Sequence, residues 1–205
     1  MSTPEERLAE LGLSLPEVVP PLAAYVPAAR GGSFVFTAGQ LPARNGEMIA
    51  VGKLGGAVSE EQGYECARQC ALNALAAIKA EIGDLGAIKR VVKAVVFVAS
   101  TPEFTAQPKV ANGASELLGE VFGDAGKHAR SAVGVAALPL DVPVEVELIV
   151  EVERGLRCRV RLGARRAPSV RFVHPRARYE RDGRPHHRQL SQRTVAASTT
   201  PHRLQ

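Results

Sequence analysis

The chain has 205 residues, enough for one domain of ordinary size and an additional segment, and its three cysteines do not form a disulfide-framework pattern. Its net charge of +5 conceals two unlike regions. Residues 1–153 contain 12 basic and 19 acidic residues, whereas residues 154–205 contain 14 arginines and two acidic residues. The body is therefore acidic, and a charge argument for nucleic-acid binding applies only to the tail. The polar start MSTPEERLAE and the lack of a long apolar run argue against a secretory signal and a membrane span, so we expect a reduced, cytoplasmic protein.

The first part of the chain predicts one short helix followed by two strands. Ser2 or Thr3 is suited to cap the helix, which Gly12 ends. The Pro-rich segment that follows leads into a strand near 22–29, and the apolar run SFVFTAGQLP predicts a second strand at about 33–38.

A long amphipathic helix is the clearest predicted element. Asn45-Gly46 predicts a tight turn before it, and the glycine-rich segment after that turn predicts a loop or a short edge strand. Ser59 and Gln62 form a capping-box pattern, and apolar residues then recur every four positions until Gly83 ends the helix.

The second half predicts a strand over 88–100, a helix over 109–123 with internal glycines, and two strands over 130–138 and 143–152. If the last two strands pair tightly around the Pro-bounded turn between them, they form a hairpin. This mixed order predicts an α+β fold with the helices on one face of a mixed sheet. Since the body has no third layer to cover the other face, we expect self-association through the sheet.

The tail differs in composition from the body. It overuses arginine, contains no lysine and keeps no apolar period, which predicts disorder. Two interpretations stay open: an extension without function, such as translation in an altered reading frame produces, and a segment that binds RNA or an anionic surface. The first is favoured because the tail has only Phe172 and Tyr179 as aromatic residues. We therefore divide the chain into a domain over 1–153 and a tail over 154–205.

Three blocks of the body resemble the RidA/YjgF family, once labelled endoribonuclease L-PSP. They are AYVPAARGGSFVFTAGQLP, CALNALAAIKAEIGDLGAIKRVVKAVVFV and HARSAVGVAALPLDVPVEVELIVEV, and they span about residues 20–153. The last block is the most specific, with ARS followed by LP and then VEVE. The resemblance implies a chorismate-mutase-like α+β fold and a homotrimer whose sheets form an inner barrel, with ligand clefts between subunits.

The resemblance also implies a reaction. Family members hydrolyse reactive enamine or imine intermediates, such as 2-aminoacrylate, to 2-oxo acids and ammonia without a cofactor. The alternative is a non-catalytic trimer that binds small 2-oxo acids in the same cleft. RNA cleavage is a third class of function, which the acidic body does not support.

Arg130 and Glu145 are the catalytic residues that the resemblance implies. Arg130 matches the family arginine that holds the substrate carboxylate, a group that a planar guanidinium binds through two parallel hydrogen bonds. Glu145 matches the glutamate that handles water near the imine carbon. The structural alternative for this pair is a mutual salt bridge, but a hairpin would place them roughly 20 Å apart. Glu147 shares a strand face with Glu145, so only the family spacing selects Glu145.

Five further residues match family positions that line the cleft, and a structural role stays open for each: Tyr25, Gly39, Gln40, Asn112 and Ser131. Tyr25 is also suited to the edge of a core, and Gly39 and Gln40 to a tight turn. Asn112 is a weak match, and Ser131 either contacts the ligand or faces the other side of its strand.

Four further residues are assigned no catalytic role. Ala132 stands where many family members have a cysteine, so no thiol acts at that position. Cys66 and Cys70 have a spacing that metals use, but they lie on the apolar stripe, so we expect core packing and no metal. His128, at the entry to a strand, is expected to be structural although histidine titrates near neutrality.

Overall fold

The computed structural model describes residues 2–18 and 24–153 of the chain. The predictions about the tail, including its disorder and its start at residue 154, lie outside the described residues. Within the described ranges the helices and strands follow in this order: α1 (Pro4–Glu10), β1 (Ala28–Gly31), β2 (Phe34–Thr37), β3 (Ala43–Arg44), β4 (Glu47–Met48), α2 (Glu60–Ile82), β5 (Ile88–Ala99), α3 (Gln107–Phe122), β6 (Ala129–Val135) and β7 (Val144–Val152).

The main sheet has the strand order β1-β2-β7-β5-β6. Strand β6 runs parallel to β5, and the other neighbouring strands are antiparallel. Helix α2 contacts β1, β2 and β7, and α3 contacts β5 and β6, so both lie on the same side. The mixed sheet with helices on one face confirms the predicted α+β class.

The predicted hairpin of the last two strands is wrong, because β5 lies between β6 and β7. Leu140 and Asp141 have positive φ angles and reverse the chain after β6. The reversal carries β7 past the edge strand to the free side of β5, where it pairs with both β5 and β2. A local turn signal therefore identified a change of direction correctly but not the partner strand.

Two helix starts follow the predicted capping chemistry. In α2 the Ser59 hydroxyl accepts from the Gln62 backbone N–H at 3.2 Å, and the Gln62 side chain accepts from the Ser59 N–H at 2.9 Å. Thr3, rather than Ser2, forms the same arrangement at α1. These side chains satisfy backbone donors that a first helical turn leaves unpaired.

The predicted first strand is misplaced. Strand β1 covers Ala28–Gly31, residues 24–27 are not strand, and residues 19–23 lie outside the described part of the chain. The predicted turn is confirmed, since Asn45 and Gly46 have φ angles of 54° and 85° between β3 and β4. Such angles belong to tight hairpin turns and favour Asn-Gly.

The core lies between α2, α3 and the sheet. Burial alternates along β7, whose residues are buried at Val144 and at every second position to Val152. The intervening residues face the other side, which we call the open face. Phe36 and Val133 also lie on the open face and are 45% and 43% exposed. In the described residues, no helix combines the length and apolar character that a membrane crossing needs.

Candidate functional site

Arg130 lies near the start of the edge strand β6 and is held by helix α3. Its Nη1 donates to Asn112 Oδ1 at 2.9 Å and to Ser115 Oγ at 3.0 Å. Asn112 and Ser115 are three residues apart on α3, so they share a helix face. The two bonds use both hydrogens of Nη1 and leave Nε and Nη2 as a fork suited to a carboxylate.

His128 extends this set of contacts. Its Nδ1 lies 2.6 Å from the Gly126 carbonyl oxygen, which only accepts, so Nδ1 carries a hydrogen. Its Nε2 lies 3.1 Å from Ser115 Oγ. In the neutral ring Nε2 therefore accepts from the Ser115 hydroxyl, which itself accepts from Arg130. We call Asn112, Ser115, His128 and Arg130 the Arg130 cluster.

A second set of predicted residues lies around Gly39, just after β2. Phe36 pairs with Ile149 and Gln40 pairs with Val146. The chain therefore advances four residues from Phe36 to Gln40 while β7 advances only three. The extra residue is a bulge, a feature that often redirects side chains. At the bulge, a Cβ on Gly39 would overlap the Glu145 carboxylate, so a larger residue here would displace that carboxylate.

Burial raises the pKa of the Glu145 carboxyl, and the nearby negative charge of Glu147 adds to that effect. Both causes disfavour ionisation, because a carboxylate is better solvated in water and is repelled by a like charge. Glu145 is thus a stronger base than an exposed glutamate. The contact with Gly39 distinguishes Glu145 from Glu147, which strand parity alone does not.

Tyr25 and Gln40 lie near Gly39. Together with Gly39 they line a cavity of about 700 Å³. Gln40 joins β7 through two backbone hydrogen bonds with Val146 of 2.8 and 3.0 Å. Its side-chain amide donates to the Ala38 carbonyl, and Tyr25 is 58% exposed. We call Tyr25, Gly39, Gln40 and Glu145 the Glu145 cluster.

The two clusters lie on opposite faces of the sheet. Arg130 is aligned with Ala94, which is buried on the helix-covered face, whereas Glu145 is aligned with Phe97 and Val133 on the open face. Two strand spacings and three residues along the strand also separate them, roughly 10 Å in each direction. The expectation that the two residues form no salt bridge agrees with this placement, although the hairpin on which it rested is wrong.

Ser131 and Ala132 follow Arg130 on alternate faces. Ser131 is aligned with Val95 and Glu147 on the open face, so it points away from Arg130. Ala132 is aligned with Val96 and packs against the core on the helix-covered face. Ser131 therefore faces the other side of its strand from Arg130, and its contact with a ligand stays a prediction.

Cys66 and Cys70 belong to the hydrophobic core, as predicted. Both are fully buried on α2, and Cys70 Sγ lies 3.6 Å from the Val144 carbonyl oxygen. Burial raises the pKa of Cys66 to about 11 and also raises that of Cys70. Thiols held in this protonated form are poor nucleophiles and poor metal ligands.

Two polar residues of the Arg130 cluster were not predicted as functional. The sequence alone does not single out Ser115, and it assigns His128 to structure. Their signal is the helical spacing from Asn112 to Ser115 together with a histidine two residues before Arg130. Neither pattern is specific until the helix is placed beside the edge strand, so the structure was needed to combine them.

Comparison with known proteins gives consistent matches over the same region. The family described as "YjgF/chorismate mutase-like, putative endoribonuclease" matches residues 5–152. The Trypanosoma cruzi protein TCP17 is 44% identical over 146 residues, which are 71% of this chain and 91% of that protein.

Two solved structures extend the comparison. Atu1372 from Agrobacterium tumefaciens, a protein of unknown function, is 45% identical with a TM-score of 0.69, covering 73% of this chain and 92% of that one. Escherichia coli TdcF, solved with bound serine, is 26% identical with a TM-score of 0.50, covering 65% of this chain and 92% of that one.

Proposed function

Because this chain belongs to the RidA/YjgF family, we propose that it hydrolyses small 2-imino acids, or their enamine forms, to 2-oxo acids and ammonia. The observation that carries the proposal is the bonding of Arg130. Asn112 and Ser115 fix Nη1, so the guanidinium is preorganised. Within the described residues, the fork formed by its Nε and Nη2 makes no hydrogen bond. A rigid fork selects a planar carboxylate and fixes its orientation.

Glu145 supplies the base that the reaction needs. The carboxylate takes a proton from water as the water oxygen attacks the imine carbon, and it passes this proton to the imine nitrogen to give the carbinolamine. It then takes the hydroxyl proton of the carbinolamine and delivers it to the amino group, so that the C–N bond breaks, ammonia leaves and a C=O bond forms. A carboxylate whose pKa burial has raised is better matched to this proton transfer than an exposed one.

The complete cleft requires a second copy of the chain, since the two clusters face opposite sides of one sheet. We propose a homotrimer in which the Arg130 cluster of one subunit meets the Glu145 cluster of its neighbour. The partly exposed apolar side chains of the open face, including Phe36 and Val133, support burial of that face. TdcF, with its bound serine, supports an amino-acid-like ligand that carries a carboxylate.

The test is an assay for ammonia and 2-oxo acid release from enzymatically generated 2-aminoacrylate. The wild-type chain is expected to accelerate release over the spontaneous rate. Arg130→Ala is expected to abolish the acceleration, and Arg130→Lys to keep only a small part of it, because an ammonium lacks the two-pronged fork. Arg68→Ala is the matched control, since Arg68 forms a surface ion pair with Glu120. No acceleration by the folded wild type contradicts the proposal.

The second candidate is a non-catalytic trimer that binds 2-oxo acids in the same cleft. The observation that favours it is Ala132, which leaves only Arg130 and Glu145 as the implied catalytic pair. Calorimetric binding of 2-oxobutanoate without any turnover of 2-aminoacrylate is the result that selects this candidate.

A further inference from the structure

A shallow pocket of about 370 Å³ lies next to Arg130 on the helix-covered side of β6. Its lining residues come from α3 and from the segment that leads into β6: Ser115, Gly119, Gly126, Lys127, His128 and Arg130. Since Ser115 and Arg130 line the pocket and also bond each other, the pocket is continuous with the carboxylate-binding position. Its volume is at the small end of the range for ligand pockets.

This pocket is basic, whereas residues 1–153 as a whole are acidic. Its three titratable lining residues are basic, although residues 1–153 contain 12 basic and 19 acidic residues. Lys127 forms an ion pair with Asp124 at 2.8 Å, but both side chains are more than four-fifths exposed, so the pairing is weak and easily exchanged for another anion. His128 is the one histidine of residues 1–153.

Gly119 leaves room in the pocket for a ligand. A Cβ built on this residue would have no heavy atom within 4 Å, so no packing reason requires glycine in this turn of α3. Gly126, by contrast, is needed because a Cβ there would overlap the Leu118 carbonyl. The space beside Gly119 is therefore free for a ligand, whereas the space beside Gly126 is filled by the Leu118 carbonyl.

We infer that this pocket binds a second acidic group of the ligand whose first carboxylate Arg130 holds. The inference rests on the proposed function and narrows its substrate class to dicarboxylic 2-imino acids and the matching 2-oxo acids. Lys127 is the donor for the second carboxylate, while the Ser115 hydroxyl donates its hydrogen to His128 Nε2 and accepts from Arg130. When the ligand is a small imino acid with an apolar side chain, water and not the ligand forms hydrogen bonds in this pocket.

The test compares two stable 2-oxo acids of equal length, 2-oxoglutarate and 2-oxopentanoate, which differ in a terminal carboxylate. Isothermal titration calorimetry of the full chain is expected to show about two- to fivefold tighter binding of the dicarboxylate, as one added ion pair with an exposed lysine provides. Lys127→Gln and Gly119→Leu are each expected to bring the ratio of the two affinities close to one. The matched controls are Lys89→Gln and Ala80→Leu, which change exposed residues outside the pocket and keep the ratio.

Two outcomes overturn the inference, and they are separable from failure of the proposed function. Equal affinity for both acids in the wild type, or a preference that survives both pocket variants, rejects the second acidic subsite. If 2-oxobutanoate still binds in an Arg130-dependent manner and 2-aminoacrylate is still turned over, the proposed function stands while the inference fails. If none of the three acids binds the folded chain, both fail.

Discussion

Glu145 and Gly39 constrain each other although they are far apart in sequence. The bulge after β2 brings the backbone of Gly39 against the Glu145 carboxylate. Burial of the Glu145 carboxyl also raises its pKa. A side chain at position 39 would therefore displace the Glu145 carboxylate.

Gly39→Ala is expected to displace the Glu145 carboxylate and to lower kcat for imine hydrolysis on the order of 10²-fold, as misplacement of a reacting group does. The measurement is the 2-aminoacrylate assay. Gly56→Ala is the control, because a Cβ there meets its nearest atom at 3.4 Å, an ordinary contact. Wild-type kcat in a folded Gly39→Ala variant would show that Glu145 does not act from this position.

Glu145→Gln is expected to raise the melting temperature at neutral pH. Between the ordinary carboxyl pKa of 4.5 and the raised value, the folded chain binds more protons than the unfolded chain, so wild-type stability falls as pH rises through that window. Glutamine has no charge to desolvate. The gain should disappear below pH 4.5, which thermal unfolding over a pH series checks, and the exposed Glu47→Gln should show no gain.

Helix α3 shows how two glycines that look alike in sequence differ in the fold. Both weaken the helix by propensity. A Cβ on Gly113 would overlap the Tyr64 carbonyl of α2, whereas a Cβ on Gly119 would meet nothing within 4 Å. Gly113 therefore permits the close packing of α2 against α3, while Gly119 borders the pocket.

Gly113→Ala is expected to destabilise the chain by roughly 1–3 kcal/mol, because the helices must separate to admit a methyl group. Gly119→Ala is expected to stabilise it by up to about 1 kcal/mol through helix propensity. Urea unfolding of both variants measures the difference. Equal effects of the two substitutions would contradict the packing argument.

Elements whose signals are local were predictable from the sequence. The cap of α2 at Ser59 and the turn at Asn45-Gly46 depend on neighbouring residues, and both are confirmed. The position of β7 was not predictable, because β5 and the last two strands compete for partners and the choice depends on the whole sheet. The same limit applies to the site, since the Ser115–His128 contact exists only after α3 packs beside β6.

At the scale of the whole molecule, the proposed cleft combines residues from two chains. A mixture of inactive Arg130→Ala and Glu145→Gln chains is therefore expected to regain activity when refolded together. With random mixing, about a quarter of the clefts receive an intact Arg130 and an intact Glu145. The 2-aminoacrylate assay on the mixture measures the gain, and each variant refolded alone is its control. A mixture of folded chains that stays inactive would place the complete site within one chain.

Removal of residues 154–205 is expected to leave oligomeric state and activity unchanged, because the family match ends at residue 152. Light scattering and the 2-aminoacrylate assay compare the truncated and full chains. Loss of either property would show that the arginine-rich tail contributes to the assembly or to the cleft.

The placement of Arg130 and Glu145 on opposite faces has a consequence for regulation. Under the proposed assembly, a single chain is inert however well it folds, so specific activity falls steeply once dilution separates the subunits. Activity then requires a concentration of the chain that is high enough for its subunits to assemble. If the chain has the proposed activity, a cell that makes only a little of it therefore has less than proportionate capacity to hydrolyse reactive imines.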